Sequence, residues 1–155
     1  MSYIEKSKSL LAEINQVFGY PNDVSPCSLE EIKILEQDLE TVLPEAYREF
    51  LLWTGKGTHY LDFDHITLDS LRTNREDAIE IMRDDGCMDS LPSRSIVFYI
   101  HHGGCQFAFI CASEGSNPPV HYYSMLNGIT WNYTSNIDEF FASLMSRSIQ
   151  AYQKF

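Results

Sequence analysis

Apolar residues recur every three or four positions through the first half of the chain and alternate or run together through the second. Ile4, Leu10, Leu11, Ile14, Val17 and Phe18 fall at helical spacing, which predicts a helix over residues 2–18, closed by Gly19 and Pro21. A second helix opens at Ser28, whose hydroxyl can cap while Glu31 reaches back to the amide of residue 28. Its predicted buried stripe is Leu29, Ile32, Leu35 and Leu39, with Glu30, Lys33, Asp38 and Glu40 on the opposite face. Leu43-Pro44 breaks that helix, because proline disfavours helical backbone in the residue before it. Proline also suits the first turn of a new helix, and Tyr47, Phe50, Leu51 and Trp53 give this third one an apolar stripe that stops at Gly55.

Residues 60–68 alternate loosely and are read as one or two short strands. A fourth helix is expected over about residues 74–84, with Ala78, Ile79 and Met82 inward and Gly86 as its stop; Asp69 stands where it could cap an earlier turn. The pattern then changes period. Residues 96–100 and 105–111 are rich in strand formers, with Gly103-Gly104 as the turn between them. Residues 120–126 and 129–133 flank Asn127-Gly128, a strong hairpin signal. In that hairpin Tyr122, Ser124 and Leu126 are expected to share a face with Ile129, Trp131 and Tyr133, either packed on helices or open to a partner. A last helix over about residues 137–149 is capped by Asn136 with Glu139 and buries Ile137, Phe140, Phe141 and Leu144. Helices first, then an antiparallel meander with a closing helix, define an α+β fold rather than a βαβ one. At 155 residues the chain reads as a single domain, 1–155.

Charge narrows the range of partners. Residues 1–90 carry 19 acids against 8 bases, whereas residues 91–155 carry three of each, so the net charge of −11 arises entirely in the N-terminal part. Such a field repels phosphate backbones and anionic membranes and attracts basic partners. The longest apolar run, residues 107–112, is far short of the roughly 20 residues that span a bilayer. Residues 1–6 show no basic start leading into an apolar stretch, and a cytoplasmic location is expected.

No catalytic constellation emerges. Cys27, Cys87, Cys105 and Cys111 form no C-x-x-C pair or zinc spacing. Cys105 and Cys111, read as one strand, would share a face about 20 Å apart, too far to bond. His101 and His102 are adjacent in a strand and so point to opposite faces, which keeps them from sharing one metal ion. Ser113-Glu114-Gly115-Ser116 lacks the nucleophile elbow, and Gly55-Lys56-Gly57 lacks the phosphate-loop pattern. The expectation is a binding protein without catalytic residues, metal or cofactor.

Ser28-Leu29-Glu30-Glu31-Ile32, Leu35-Glu36, Leu39, Leu43-Pro44-Glu45-Ala46-Tyr47 and Phe50-Leu51, closing with Gly55-Lys56-Gly57, resemble the SUKH superfamily. That group includes the fungal cell-wall-assembly regulator domain and many bacterial immunity proteins. The likeness continues through Gly115-Ser116-Asn117-Pro118-Pro119-Val120 and residues 135–141, covering residues 28–144. It implies helices packed on an antiparallel sheet and, for bacterial members, direct binding of a polymorphic toxin, often a nuclease. The partner it implies is a cognate, basic toxin domain whose active site is occluded, with the chain itself a monomer or weak homodimer. The alternative is a regulatory or scaffold module of the same fold. The resemblance carries over no catalytic residue. The contact expected for a basic toxin is the acid-rich segment holding Asp62, Asp64, Glu76, Asp77, Glu80, Asp84, Asp85 and Asp89, balanced only by Arg72, Arg75 and Arg83.

Overall fold

A computed structural model describes residues 2–19, 24–58, 68–101 and 105–153. Among these residues five α-helices, α1 (Glu5–Phe18), α2 (Leu29–Leu39), α3 (Glu45–Thr54), α4 (Leu68–Asp84) and α5 (Ile137–Gln153), surround four strands, β1 (Ser95–His101), β2 (Gln106–Cys111), β3 (Val120–Ser124) and β4 (Gly128–Thr134). The strands form one antiparallel sheet in sequence order. The fold is α+β, as the change of period implies.

Helices cover both faces of this sheet. On one face Ile96, Phe98, Tyr99, Ala108, Ile110 and Val120 meet α1, α2, α3 and α5 in the main core. A bulge in β1 places both Phe98 and Tyr99 on that face, since Val97 pairs with Phe109 and Tyr99 with Ala108. Phe50 of α3 stacks on Phe141 of α5 with ring centroids 4.0 Å apart. On the other face Val97, Ile100, Phe107, Phe109 and Tyr123 pack with Ala78 and Met82 of α4.

Side chains from distant segments secure several helix ends. The predicted capping box on α2 is present: the Glu31 amide donates to Ser28 Oγ at 3.1 Å, and the Ser28 amide to Glu31 Oε1 at 3.1 Å. Glu139 donates its amide to Asn136 Oδ1 at 2.9 Å, as expected for α5. The first residue before α1 is Ile4, which cannot cap; Asp138 of α5 does so instead, accepting from the Ser7 amide at 2.7 Å and the Lys6 amide at 3.0 Å.

Some expectations are corrected. Val17 and Leu29 are exposed, each falling about a quarter-turn off the stripe that its neighbours define. Helix α4 starts at Leu68, six residues before Asn74, because Leu68 and Leu71 have the main core to pack against. Strand β2 starts at Gln106; Cys105 is exposed with φ 51°, outside the strand, and only Cys111 is buried within it. Pairing of Ser124 with Gly128 leaves a three-residue loop ending at a left-handed glycine, not the two-residue turn expected of Asn127-Gly128. This shifts the register: Ile129 pairs with Tyr123, and Trp131 packs on Phe109 and His121, so both lie on the face opposite Tyr122. The Gly103-Gly104 turn and residues 60–67 lie outside the described residues.

Candidate partner-binding surface

Helix α4 divides its residues cleanly. Leu71, Asn74, Ala78 and Met82 form its buried stripe, and Asn74 Nδ2 donates to the Val97 carbonyl at 3.0 Å, joining helix to sheet. Glu76, Asp77, Glu80 and Asp84, spaced one, four and eight residues from the first, occupy the opposite face. Among the described residues none of these four takes part in an ion pair. Two of the three nearby arginines are turned elsewhere: Arg72 Nε reaches Asp38 of α2 at 2.8 Å, and Arg75 points toward the Pro92 carbonyl, while Arg83 is exposed in the last turn of α4 beside Asp84.

The remaining expected contact residues have separate positions. Asp85 is half-buried and accepts a hydrogen bond from the Tyr123 hydroxyl at 2.8 Å, fastening the end of α4 to β3. Burial, followed by this carboxylate, holds the Tyr123 phenol well above its ordinary pKa. Asp89 is exposed beneath the β3–β4 turn, its Oδ2 3.8 Å from where a Cβ on Gly128 would sit. Asp62 and Asp64 lie outside the described residues.

The end of α4 and the β3–β4 loop thus form one side of the molecule. Met88, Met125, Leu126 and Trp131, all large and exposed, belong to this side. Asp85 and Asp89 lie at the base of the same hairpin, against Tyr123 and Gly128. The acids of α2 are mostly engaged locally: Glu31 in its box and with Lys56 at 2.9 Å, Glu36 with the Leu43 amide at 2.7 Å, Asp38 with Arg72. The Lys56 bond, and next the Ser28 amide, lower the pKa of Glu31. Most of the tyrosine-rich sheet is core: Tyr99 and Tyr123 are buried, and Tyr122 stacks on Tyr133 at 4.7 Å. Among the described tyrosines, tryptophans and phenylalanines of the sheet, only Trp131 and Tyr133 of β4 are well exposed.

A polar trio that sequence reasoning missed sits behind Trp131. Side-chain ligand atoms of Cys111, Glu114 and His121 lie within 4.8 Å of one another. The Asn132 amide donates to His121 Nδ1 at 2.9 Å, so the imidazole proton is on Nε2 and is donated to Glu114 Oε1 at 2.7 Å. Burial, then the Glu114 carboxylate, pushes the Cys111 thiol up to about 12. This does not fit a metal centre: a ligating histidine donates from its other nitrogen, whereas here that nitrogen accepts. Nor is it a nucleophile with its base, because the carboxylate stands where the imidazole would have to be. The trio locks the irregular part of β4 onto β3. Cys111 ends β2, Glu114 lies in the turn that follows and His121 is on β3, so only the folding of the sheet brings them together and no sequence signal marks them.

A four-stranded antiparallel meander clad in helices on both faces, with an acidic helix and an apolar rim at one end, defines the class: an α+β domain offering a surface and no assembled catalytic centre among the described residues. A model of the SMI1 / KNR4 family (SUKH-1) matches residues 26–144, and the chain belongs to that family. A search of curated proteins finds none that matches the chain. No helix among the described residues is long and apolar enough to cross a membrane.

Proposed function

We propose that this chain is an immunity protein that binds a basic cognate toxin domain and blocks its active site, acting by occlusion in the cytoplasm and not by catalysis. The observation that carries this reading is the outer face of α4, where Glu76, Asp77, Glu80 and Asp84 take part in no ion pair among the described residues, on a helix whose end is fastened through Asp85 to the hairpin that carries exposed Leu126. An apolar centre with charged surroundings is the usual anatomy of a protein interface. Toxins that act on phosphate-bearing substrates need cationic sites, and a row of carboxylates competes for such a site. Family membership supports a role in protein binding.

The test is a binding titration against the C-terminal domain of the toxin encoded by the adjacent gene. Reversing Glu76 and Glu80 to lysine is expected to weaken binding at least tenfold more than reversing Glu30 and Glu40. Asp85 is left intact in this comparison because its bond to Tyr123 is structural. Equal losses from the two double variants would remove the α4 face from the reading. Absence of any binding would favour the regulatory or scaffold alternative.

A further inference from the structure

We propose that a small cavity between α4 and the start of β1 is a binding site for a small oxyanion, either phosphate or carboxylate. Its volume is about 60 Å³, several times the ~10–15 Å³ that a single water needs. Four aliphatic side chains of α2, α4 and β1 form part of the wall; the polar part is Thr41, Arg75, Arg94 and Ser95, and among the described residues no carboxylate lines it.

Two of these polar groups lack a partner. Ser95 is 4% exposed, and its Oγ is buried without a hydrogen bond. Arg75 Nε is likewise buried and unbonded, and its Nη2 makes only a long 3.4 Å contact with the Pro92 carbonyl. Buried donors left unmade forfeit their hydration without compensation. Among the described residues neither Arg75 nor Arg94 is in an ion pair, in a chain whose acids outnumber its bases two to one. Arg94 also holds φ at 60°, a left-handed backbone uncommon for any residue but glycine. Such strain persists where the surroundings impose it, and it clusters at ligand clamps.

The donor set defines the ligand. Two guanidinium groups and the Ser95 hydroxyl supply N–H and O–H donors and positive charge, which is the chemistry that holds carboxylates and phosphates; the Thr41 hydroxyl donates to the Leu39 carbonyl at 3.2 Å and adds only polarity to the wall. The acids that dominate the net charge lie outside the cavity, and exposed charges are screened over about 8 Å at physiological salt. Thr41 and Arg94 also line a wider surface groove with Glu36 and Glu40, which gives the cavity an approach from solvent. Glu36 is held by the Leu43 amide, leaving Glu40 as the carboxylate in that groove free to compete for Arg94.

The experiment is thermal unfolding of the full chain in sodium phosphate, sodium acetate or sodium chloride at matched ionic strength. At ten times its Kd, a bound oxyanion is expected to raise Tm by roughly 3–6 °C above the chloride value. A rise with phosphate alone identifies a free phosphate ligand; an equal rise with acetate identifies a carboxylate, such as a partner's acidic side chain. Phosphate also stabilises proteins non-specifically, so the deciding comparison is with variants. Ser95→Ala and Arg94→Gln should keep the fold and lose most of the ligand-dependent rise. Arg75→Gln should lose it too; if that variant does not fold, the other two decide. No rise beyond chloride, as for a cavity holding only water, or a rise unchanged in Arg94→Gln, would overturn the proposal.

Discussion

At the scale of single residues, burial separates three of the four cysteines, with Cys87 between the extremes. Cys105 is exposed, whereas Cys27 and Cys111 are buried and burial pushes their thiols up to about 11 and about 12. A maleimide or disulfide reagent at pH 8 is therefore expected to label Cys105 within minutes and Cys27 and Cys111 only after denaturation. The same shifts set an alkaline limit. Unfolded thiols titrate near 8.5, so between about pH 9 and 12 the unfolded chain releases protons that the folded chain keeps. Stability is complete below that window and declines as pH rises through it, which urea melts at pH 8 and pH 10.5 would show. Gly55 illustrates a different constraint. Its backbone is ordinary, at φ −64°, but a Cβ there would lie 2.4 Å from Cys27 Sγ and 2.8 Å from the Leu51 carbonyl oxygen. Its presence after α3 serves close packing rather than a left-handed helix stop. Gly55→Ala is expected to cost about 1–3 kcal/mol in chemical denaturation.

At the scale of elements, α3 is the hub of the main core. Phe50 is 1% exposed and touches Tyr47, Trp53 and Phe141 through its ring. Phe50→Ala should therefore lose about 3–5 kcal/mol in a urea melt, and a loss below about 1 kcal/mol would contradict the packing described. The helices were legible in sequence because one-sided burial imprints a 3.6-residue period, and capping residues such as Ser28 and Asn136 mark their starts. The sheet was legible as four strands but not as a register. Asn127-Gly128 announced a turn, yet whether it closes with two or three residues depends on how Tyr123 and Ile129 pack beneath α4. The extra residues in β4 depend on His121, eleven positions before Asn132. The acidic residues of α4 were visible as a cluster, but their separation into an outward row and the tethered Asp85 required the position of Tyr123. Orphaned Ser95 and Arg75 left no trace in the sequence, since a missing partner has no pattern.

At the scale of the whole molecule, the −11 net charge acts on encounter before it acts on contact. Association with a basic partner is expected to slow steeply as salt rises from about 50 to 300 mM, while dissociation changes little. Stopped-flow measurements would separate the two; a salt-independent association rate would leave the exposed apolar rim as the dominant contact. One of the two edge strands of the sheet, β4, has another influence. Between Val120 and Tyr122 on β3, β4 carries two surplus residues, and Asn132 there adopts φ 54° with its amide turned inward to His121. A foreign strand laid along β4 would find a broken row of donors and acceptors instead of a continuous template. Edge-to-edge pairing along β4 is thereby discouraged, and the buried histidine doubles as a guard against aggregation at this edge.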